Sequence, residues 1–375
     1  MRLFFELIQV GIGNRDKLSS VPSSVEWEGL YALAKKQAIL GVCFSGIQHL
    51  YKTQPLQVTN LPLKLKMLWL GIAANIQKQN KLLNERAKEV TEMFLKGGFN
   101  TCVLKGQGIA ALYQDRRQDS SLTTLRQSGD IDLWVEGKRG DVIAFMKQNG
   151  WRLGPVVVHH TDVEIFEDVS TEIHHYPSFA YSPIRWLKYK KWFREQAKVQ
   201  FFQKDNSDGF LCPTVEFNFV YLLLHIYRHI FHEGVGLRQL MDYYMALHMT
   251  YGNADFSENA KTRAMKTLNW FGLQRFVGAV MYVEQHVFGL KDDMLLCPCD
   301  EKVGRFLLDE IMRAGNFGKY DQRVVEAHIG GEMHLFIHNI LRLFRMVRYY
   351  PSEVLWAPFW KVAHWIWRKT KWNNL

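Results

Sequence analysis

The chain has 375 residues, 47% of them hydrophobic and 14% aromatic, which excludes a disordered protein and leaves room for one large domain or two ordinary ones. Five scattered cysteines (Cys43, Cys102, Cys212, Cys297, Cys299) and an N-terminal stretch, Met1 to Gly13, whose apolar run is broken by Glu6, argue against export and for a reducing, cytoplasmic setting. No uncharged apolar run approaches the roughly 18 residues of a spanning helix. The formal charge of +10 gathers at one end, where seven Lys or Arg against one acid from Leu335 onwards carry +6 of it.

In chain order, Glu26 to Leu50 has apolar residues at helical spacing. Leu63 to Leu95 predicts a longer helix with an Asn/Gln/Lys outer face, ended by the glycines at 97 and 98. Asn100 to Lys105 is short, β-branched and apolar, as in a buried strand. "GQGIAALYQ" follows as a short helix opened by Gly106, and Asp115 to Gly129 as a polar loop. Asp130 to Glu136 predicts a strand, and "KRGDVIAFMKQNG" an amphipathic helix closed by Gly150. "TDVEIFED" and "STEIHHY" alternate as two further strands. From Pro183 the patterns are helical: Pro213–His232, Leu237–Tyr251, Phe271–Phe288, Lys302–Arg313, His334–Tyr349 and, after Pro351, Glu353–Lys371. The expected organisation is a helical region over 1–98, a small α/β unit over 99–182 and a helical region over 183–375, together an α+β fold.

The run "RQSGDIDLWV" sets two acids in an apolar strand. Strand side chains alternate, so Asp130 and Asp132 share a face and repel unless a cation lies between them. Carboxylate oxygens are what Mg²⁺ takes. The plainer alternative is a pair of solvated acids at a strand edge. A third ligand would come from a neighbouring strand, either Glu172, on one face with His174, or Glu164. His225, His229 and His232 have helical metal-ligand spacing without a His-Glu-x-x-His pattern, and a polar crevice lining explains them more simply. Arg238 and Asp242, at i and i+4, could pair along their helix. "GNFGKYD" sets two glycines around Phe317 and reads as a turn. The tail holds five of the twelve tryptophans among basic residues. Core packing is its default, with a weak contact to an anionic surface as the sharper expectation.

The ordered segments "VLKGQGIAALY", "LRQSGDIDLWV", "STEIHHYPSF" and "LLLHIYRHIFHEGVGLRQLMDYY", with "GNFGKYDQR" further on, resemble the uncharacterised nucleotidyltransferase family of the polymerase-β-like superfamily. The resemblance runs from about Trp27 to beyond Tyr320. It implies a small mixed β-sheet nucleotidyltransferase core between N-terminal helices and a larger C-terminal helical domain. It also implies a glycine turn, Lys105 and Gly106, that holds a triphosphate. Asp130 and Asp132 would bind Mg²⁺ (or Mn²⁺), completed by Glu172 two residues before His174, with Arg126 four residues before the pair. His229, Arg238 and Asp242 would contact base, ribose or phosphate. One departure is the Lys-Gly-Gln turn, where the superfamily has Gly followed by Gly or Ser.

The implied reaction moves an NMP group from an NTP to an acceptor hydroxyl on a small molecule, a sugar, a protein or an RNA end. Asp132→Asn is then expected to abolish it with little loss of fold. The alternatives are a nucleotide-sugar glycosyltransferase using the D-x-D pair, and a degenerate nucleotide-binding module.

Overall fold

A computed structural model of the chain describes residues 1–113, 121–203, 209–249, 254–321 and 343–371. The expected helix His334–Tyr349 lies mostly outside these residues, as does part of the loop Asp115–Gly129. Four helices lead: α1 (Arg2–Gly11), α2 (Ser24–Lys36), α3 (Leu40–Thr53) and α4 (Leu63–Lys96). The sheet region follows with β1 (Thr101–Val103), α5 (Gln107–Ala110), α6 (Ser121–Leu125), β2 (Asp130–Val135), α7 (Arg139–Gln148), β3 (Arg152–Val156), β4 (His160–Glu164) and β5 (Ser170–His174). The rest is helical: α8 (Pro183–Gln200), α9 (Val215–His232), α10 (Leu237–His248), α11 (Ala254–Phe271), α12 (Gln274–Val283), α13 (Glu301–Ala314) and α14 (Pro351–Lys371). The α+β class is as expected. Among the described residues one strand, β1, precedes β2, so the glycosyltransferase reading finds no series of βα units upstream.

The five strands run in the order β1-β2-β5-β4-β3, with β2 and β5 parallel and the other pairs antiparallel. β3 has no counterpart in the expected elements. It contains Gly154 and Pro155, both poor strand formers, and pairs with β4 through a register shift. Strand alternation divides the sheet into two unlike faces. Ile131, Leu133, Val163 and Ile173 enter an apolar cluster with Leu83, Ala87, Val90 and Phe94 of α4 and with Val142, Ile143 and Met146 of α7. The opposite face carries the polar set and lies under α9. At one end of that face Trp134 stacks on Phe217, with ring centroids 5.8 Å apart.

α4 is 34 residues long, about 50 Å at 1.5 Å per residue. Its inward positions are Leu65, Trp69, Ala73, Ile76, Asn80, Leu83, Ala87, Val90 and Phe94, a stripe spaced by threes and fours. Asn80 therefore faces inward rather than lying on an outer polar face. Its amide donates to the backbone carbonyls of Thr124 (2.7 Å) and Arg126 (2.8 Å), which fixes the chain entering β2. A second and larger apolar cluster runs from Phe4 to Ala357 and joins the N-terminal helices to the C-terminal ones.

No helix among the described residues is long and apolar enough to cross a membrane. In α14, Val354 and Ala357 are buried, and Trp360 stacks on Phe179 at 4.8 Å. Glu353 anchors the helix by accepting from the Tyr181 amide (2.5 Å) and pairing with Arg185. Trp356, Phe359, Val362 and Trp365 remain exposed.

Glu284, in the π-helical turn Glu284–Phe288 after α12, is fully buried, and neither carboxyl oxygen has a hydrogen-bond partner among the described residues. Burial pushes its carboxyl well above the ordinary value. The folded chain thus keeps a proton that the unfolded chain releases as pH rises past the ordinary value. Stability then falls with rising pH, by about 1.4 kcal/mol per unit until the folded group titrates. Glu284→Gln should melt higher than the wild type, with a margin that widens between about pH 5 and about pH 8. Thermal melts across that range check this, and a constant margin would contradict it.

Candidate functional site

The register of β2 with β5 sets Asp130 opposite Ser170, Asp132 opposite Glu172 and Trp134 opposite His174. Adjacent to β5, β4 sets Asp162 opposite Glu172 and His160 opposite His174. Side chains of the same parity emerge on one face, so the three strands gather Asp130, Asp132, Glu172, His174, His160 and Asp162 there. Glu164, the competing third acid, is exposed with its oxygen 3.5 Å from Arg152, away from the pair.

Asp132 is fully buried. Its Oδ1 receives Lys105 Nζ at 2.7 Å and His174 Nε2 at 2.9 Å, and the same nitrogen stands 3.3 Å from Glu172 Oε2. Oδ2 is buried and has no hydrogen-bond partner. Burial alone would push the Asp132 carboxyl up, but the Lys105 ammonium and the His174 hydrogen bond outweigh it and hold the group far below the carboxylate range. For His174, burial works against protonation, yet the bonds to Asp132 and Glu172 raise its pKa on balance. Burial likewise lowers Lys105, and the charges of Asp132, Asp130 and Glu172 more than restore it. Asp130 differs: burial and then repulsion from Asp132 push its carboxyl up.

Lys105 reaches Asp132 because the turn before α5 is tight. The Leu104 amide donates to Asp132 O at 2.9 Å. Gly106 takes φ +57°, a left-handed conformation that favours glycine. A Cβ on Gly108 would sit 1.8 Å from the Val103 carbonyl, so the turn can press against β1 only with glycine there. α5 itself is a single turn of four residues, shorter than the expected helix, and offers little dipole to an anion.

Beside this turn lies a narrow cleft, with about 20 Å³ open to a water-sized sphere, lined by Lys105, Gly106, Arg126, Asp130, His225, Arg238, Asp242 and Phe317. Arg126 and Asp242 form a buried bidentate pair (Nε–Oδ1 and Nη2–Oδ2, each 2.8 Å), and Tyr113 donates to Asp242 Oδ1 at 2.5 Å. Asp242 is thus engaged 116 residues away and not with Arg238 along its own helix. Arg238 donates to the Gln127 carbonyl at 2.8 Å and has no carboxylate at ion-pair distance among the described residues. Its guanidinium lies 5.3 Å from the centre of the Phe317 ring.

Phe317 was legible only as the middle of a glycine turn. It holds φ +54°, costly for a residue with a Cβ. The turn packs closely on the chain between α9 and α10, where a Cβ on Gly234 or Gly236 would come within 2.9 Å of Gly318 N or Asn316 Cα. His229 is buried behind this cleft. Its Nδ1 lies 3.4 Å from Glu233, its Nε2 2.7 Å from Arg228, and its ring 4.3 Å from His225. Burial and Arg228 lower its pKa to about 3, so it is a neutral, buried group near neutral pH.

Ligand atoms of Asp132, Glu172 and His174 lie within 4.8 Å of one another, so these three could hold a metal ion; Asp130 stands outside that grouping. Asp132 Oδ2, without a hydrogen-bond partner among the described residues, suits a hard cation, since a buried acceptor without a partner is costly. A family model described as uncharacterised nucleotidyltransferase matches residues 23–289. No curated protein and no solved structure matches the chain.

The charge balance at Asp132 alters the expectation for its amide variant. Asp132→Asn leaves the Lys105 ammonium without the carboxylate it pairs with and His174 with Glu172 alone, and should cost about 3 kcal/mol or more. Asp130→Asn removes a repelled carboxylate that has no hydrogen bond among the described residues and should stay within about 1 kcal/mol of the wild type. Denaturant titration of both variants checks the contrast, and equal losses would contradict it.

Proposed function

The chain belongs to the uncharacterised nucleotidyltransferase family, and we propose that it moves a nucleoside monophosphate from an NTP to an acceptor hydroxyl, with Mg²⁺ (or Mn²⁺) held by Asp130, Asp132 and Glu172. The observation that carries the metal-site reading is the buried Asp132 Oδ2, without a hydrogen-bond partner among the described residues, on a residue whose register partner is Glu172. A divalent cation in this set would neutralise phosphate charge and lower the pKa of the acceptor hydroxyl.

The remaining roles fall to side chains. Arg238 binds the phosphates, since a guanidinium without a carboxylate partner prefers to meet an anion. Lys105 joins it once the carboxylates hold a metal and no longer need the ammonium as counter-charge, and Gly106 brings backbone close to the same place. The acceptor oxygen attacks the α-phosphorus, the bond to the β-phosphate bridge breaks, and pyrophosphate leaves with its charge spread over the basic cleft. Glu172, more open than Asp132 and His174, takes the hydroxyl proton. His174 keeps Glu172 and Asp132 oriented. Arg126 and Asp242 are positioning residues, spent on each other, and His229 packs behind Phe317. Phe317 offers a ring for the nucleobase to stack on.

The acceptor is a small molecule, a sugar, a protein or an RNA end. The exposed aromatic face of α14, with Lys361 and Arg368 on the same helix, keeps a weak contact with an anionic surface within the proposal. A second reading, a binding module without catalysis, draws support from Lys105 and His174, which already neutralise Asp132.

A thermal-shift screen of ATP, GTP, CTP and UTP, with and without Mg²⁺, separates the readings. Metal-dependent stabilisation by an NTP together with label transfer in the wild type, lost in Asp130→Asn, is the expected result. Stabilisation without transfer favours the module, and no shift with any NTP defeats the nucleotide reading. Phe317→Ala should raise the Kd of the stabilising NTP roughly tenfold, as loss of one base-stacking ring does. An unchanged Kd removes the stacking role and leaves the rest intact.

A further inference from the structure

We infer a second cation site on this face, one strand beyond the proposed catalytic pair, made by His160 and Asp162 of β4 with Glu172 of β5 and suited to a Zn²⁺-class ion. It stands whether or not the chain transfers a nucleotide. β4 and β5 are antiparallel, and their register places Asp162 directly opposite Glu172. Two acids opposed in a cross-strand pair destabilise a sheet unless something positive lies between them.

What lies there is the His160 ring. Its Nε2 is 3.2 Å from Asp162 Oδ1 and its Nδ1 3.7 Å from Glu172 Oε2. The same Nδ1 is 3.0 Å from His159 Nε2. One ring nitrogen thus faces two acceptors, and a single proton there cannot serve both well. One ligand atom from each of His160, Asp162 and Glu172 falls within a 4.8 Å cluster. Tetrahedral zinc with bonds near 2.0–2.2 Å separates its ligand atoms by roughly 3.3–3.5 Å, so modest side-chain rotation closes the set.

The set proposed for catalysis, Asp130, Asp132 and Glu172, offers oxygens alone, which is Mg²⁺ chemistry, and His174 adds an imidazole beside Asp132 and Glu172. Imidazole with carboxylates is chemistry for Zn²⁺ and its Irving–Williams neighbours. His159 and His174 crowd the same place, their ligand atoms within 4.8 Å of that of His160. The site is also reachable: the Asp162 side chain is 47% exposed and that of Glu172 24%. Three protein ligands with an open side leave a fourth position for water or for an incoming donor. Because Glu172 belongs to both groupings, an ion here would also fix the orientation of the third acid of the proposed catalytic set.

Co²⁺ is the probe, since its visible d–d absorption reports low coordination. The chelator-treated full chain is titrated with Co²⁺ under excess Mg²⁺, which occupies oxygen-only sites. The expected result is an intense band saturating at one equivalent and bleached by Zn²⁺. The band should persist in Asp130→Asn. In His160→Ala and Asp162→Asn the apparent Kd should rise by at least the roughly ten- to hundredfold that loss of even an outer-sphere partner costs. Asp162 is half exposed, so its variant keeps the test open should His160→Ala misfold. No band in the wild type overturns the inference. So does a band unaffected by either β4 variant, or one lost in Asp130→Asn, which would assign the metal to the catalytic pair.

Discussion

A carboxylate with no access to water must be balanced from within the protein, and Asp132 sets that requirement for the whole sheet. Lys105 comes from the turn after β1 and His174 from the end of β5, so the two strands flanking β2 each deliver one counter-charge. This is why the central order β1-β2-β5 matters. The turn carrying Lys105 has to fold back sharply to arrive, and its glycines follow from that need. The parallel pairing of β5 with β2 follows likewise, since it levels Glu172 with Asp132 and leaves His174 two residues on, able to reach both. The two conditions together leave one buried oxygen of Asp132 without a hydrogen-bond partner among the described residues.

The second constraint joins the sheet to the helices. Arg126 and Asp242 bury a full charge pair between the entry to β2 and the middle of α10, and Tyr113 closes it. With Arg126 so occupied, Arg238 one turn earlier on α10 lines the cleft without a carboxylate at ion-pair distance among the described residues. Burial and then the like charge of Arg126 lower its pKa, against the pull of Asp130 and Asp242. The helical half therefore does more than cover the polar face of the sheet. It supplies the positive side of a site whose negative side is built from strands.

Much of this was legible in the chain, and the limits have physical causes. Period-two alternation placed Asp130 and Asp132 on one face and left Glu172 and Glu164 both open as the third acid, between which the family resemblance chose Glu172. Family resemblance ordered the motifs. What escaped were contacts with no sequence period. The Asp242 partner lies 116 residues away, and helical spacing pointed to the nearer Arg238 instead. Asn80 was read as outer-face because it is polar, whereas its amide is needed inside to meet two carbonyls. β3 was missed because Gly154 and Pro155 mask a strand that survives only at the sheet edge. His160 and Asp162 fell in or beside an expected strand, but their meaning depends on which strand pairs with which, and alternation alone does not supply register.

α4 links these parts in a further way. Its first half, from Leu65 to Ile76, belongs to the large helical core, and its second half, from Leu83 to Phe94, belongs to the core beneath the sheet. Asn80 stands at the junction. A single rod seated in two cores acts as a ruler, setting both the distance and the angular phase between them. Inserting or deleting one residue between Ile76 and Leu83 would turn the second stripe by about 100° relative to the first and swing the sheet's apolar face away from its partner. Chains of this design can change length freely in their surface loops, but within that stretch of α4 length is fixed by geometry, and any tolerated change would have to come in whole-turn steps.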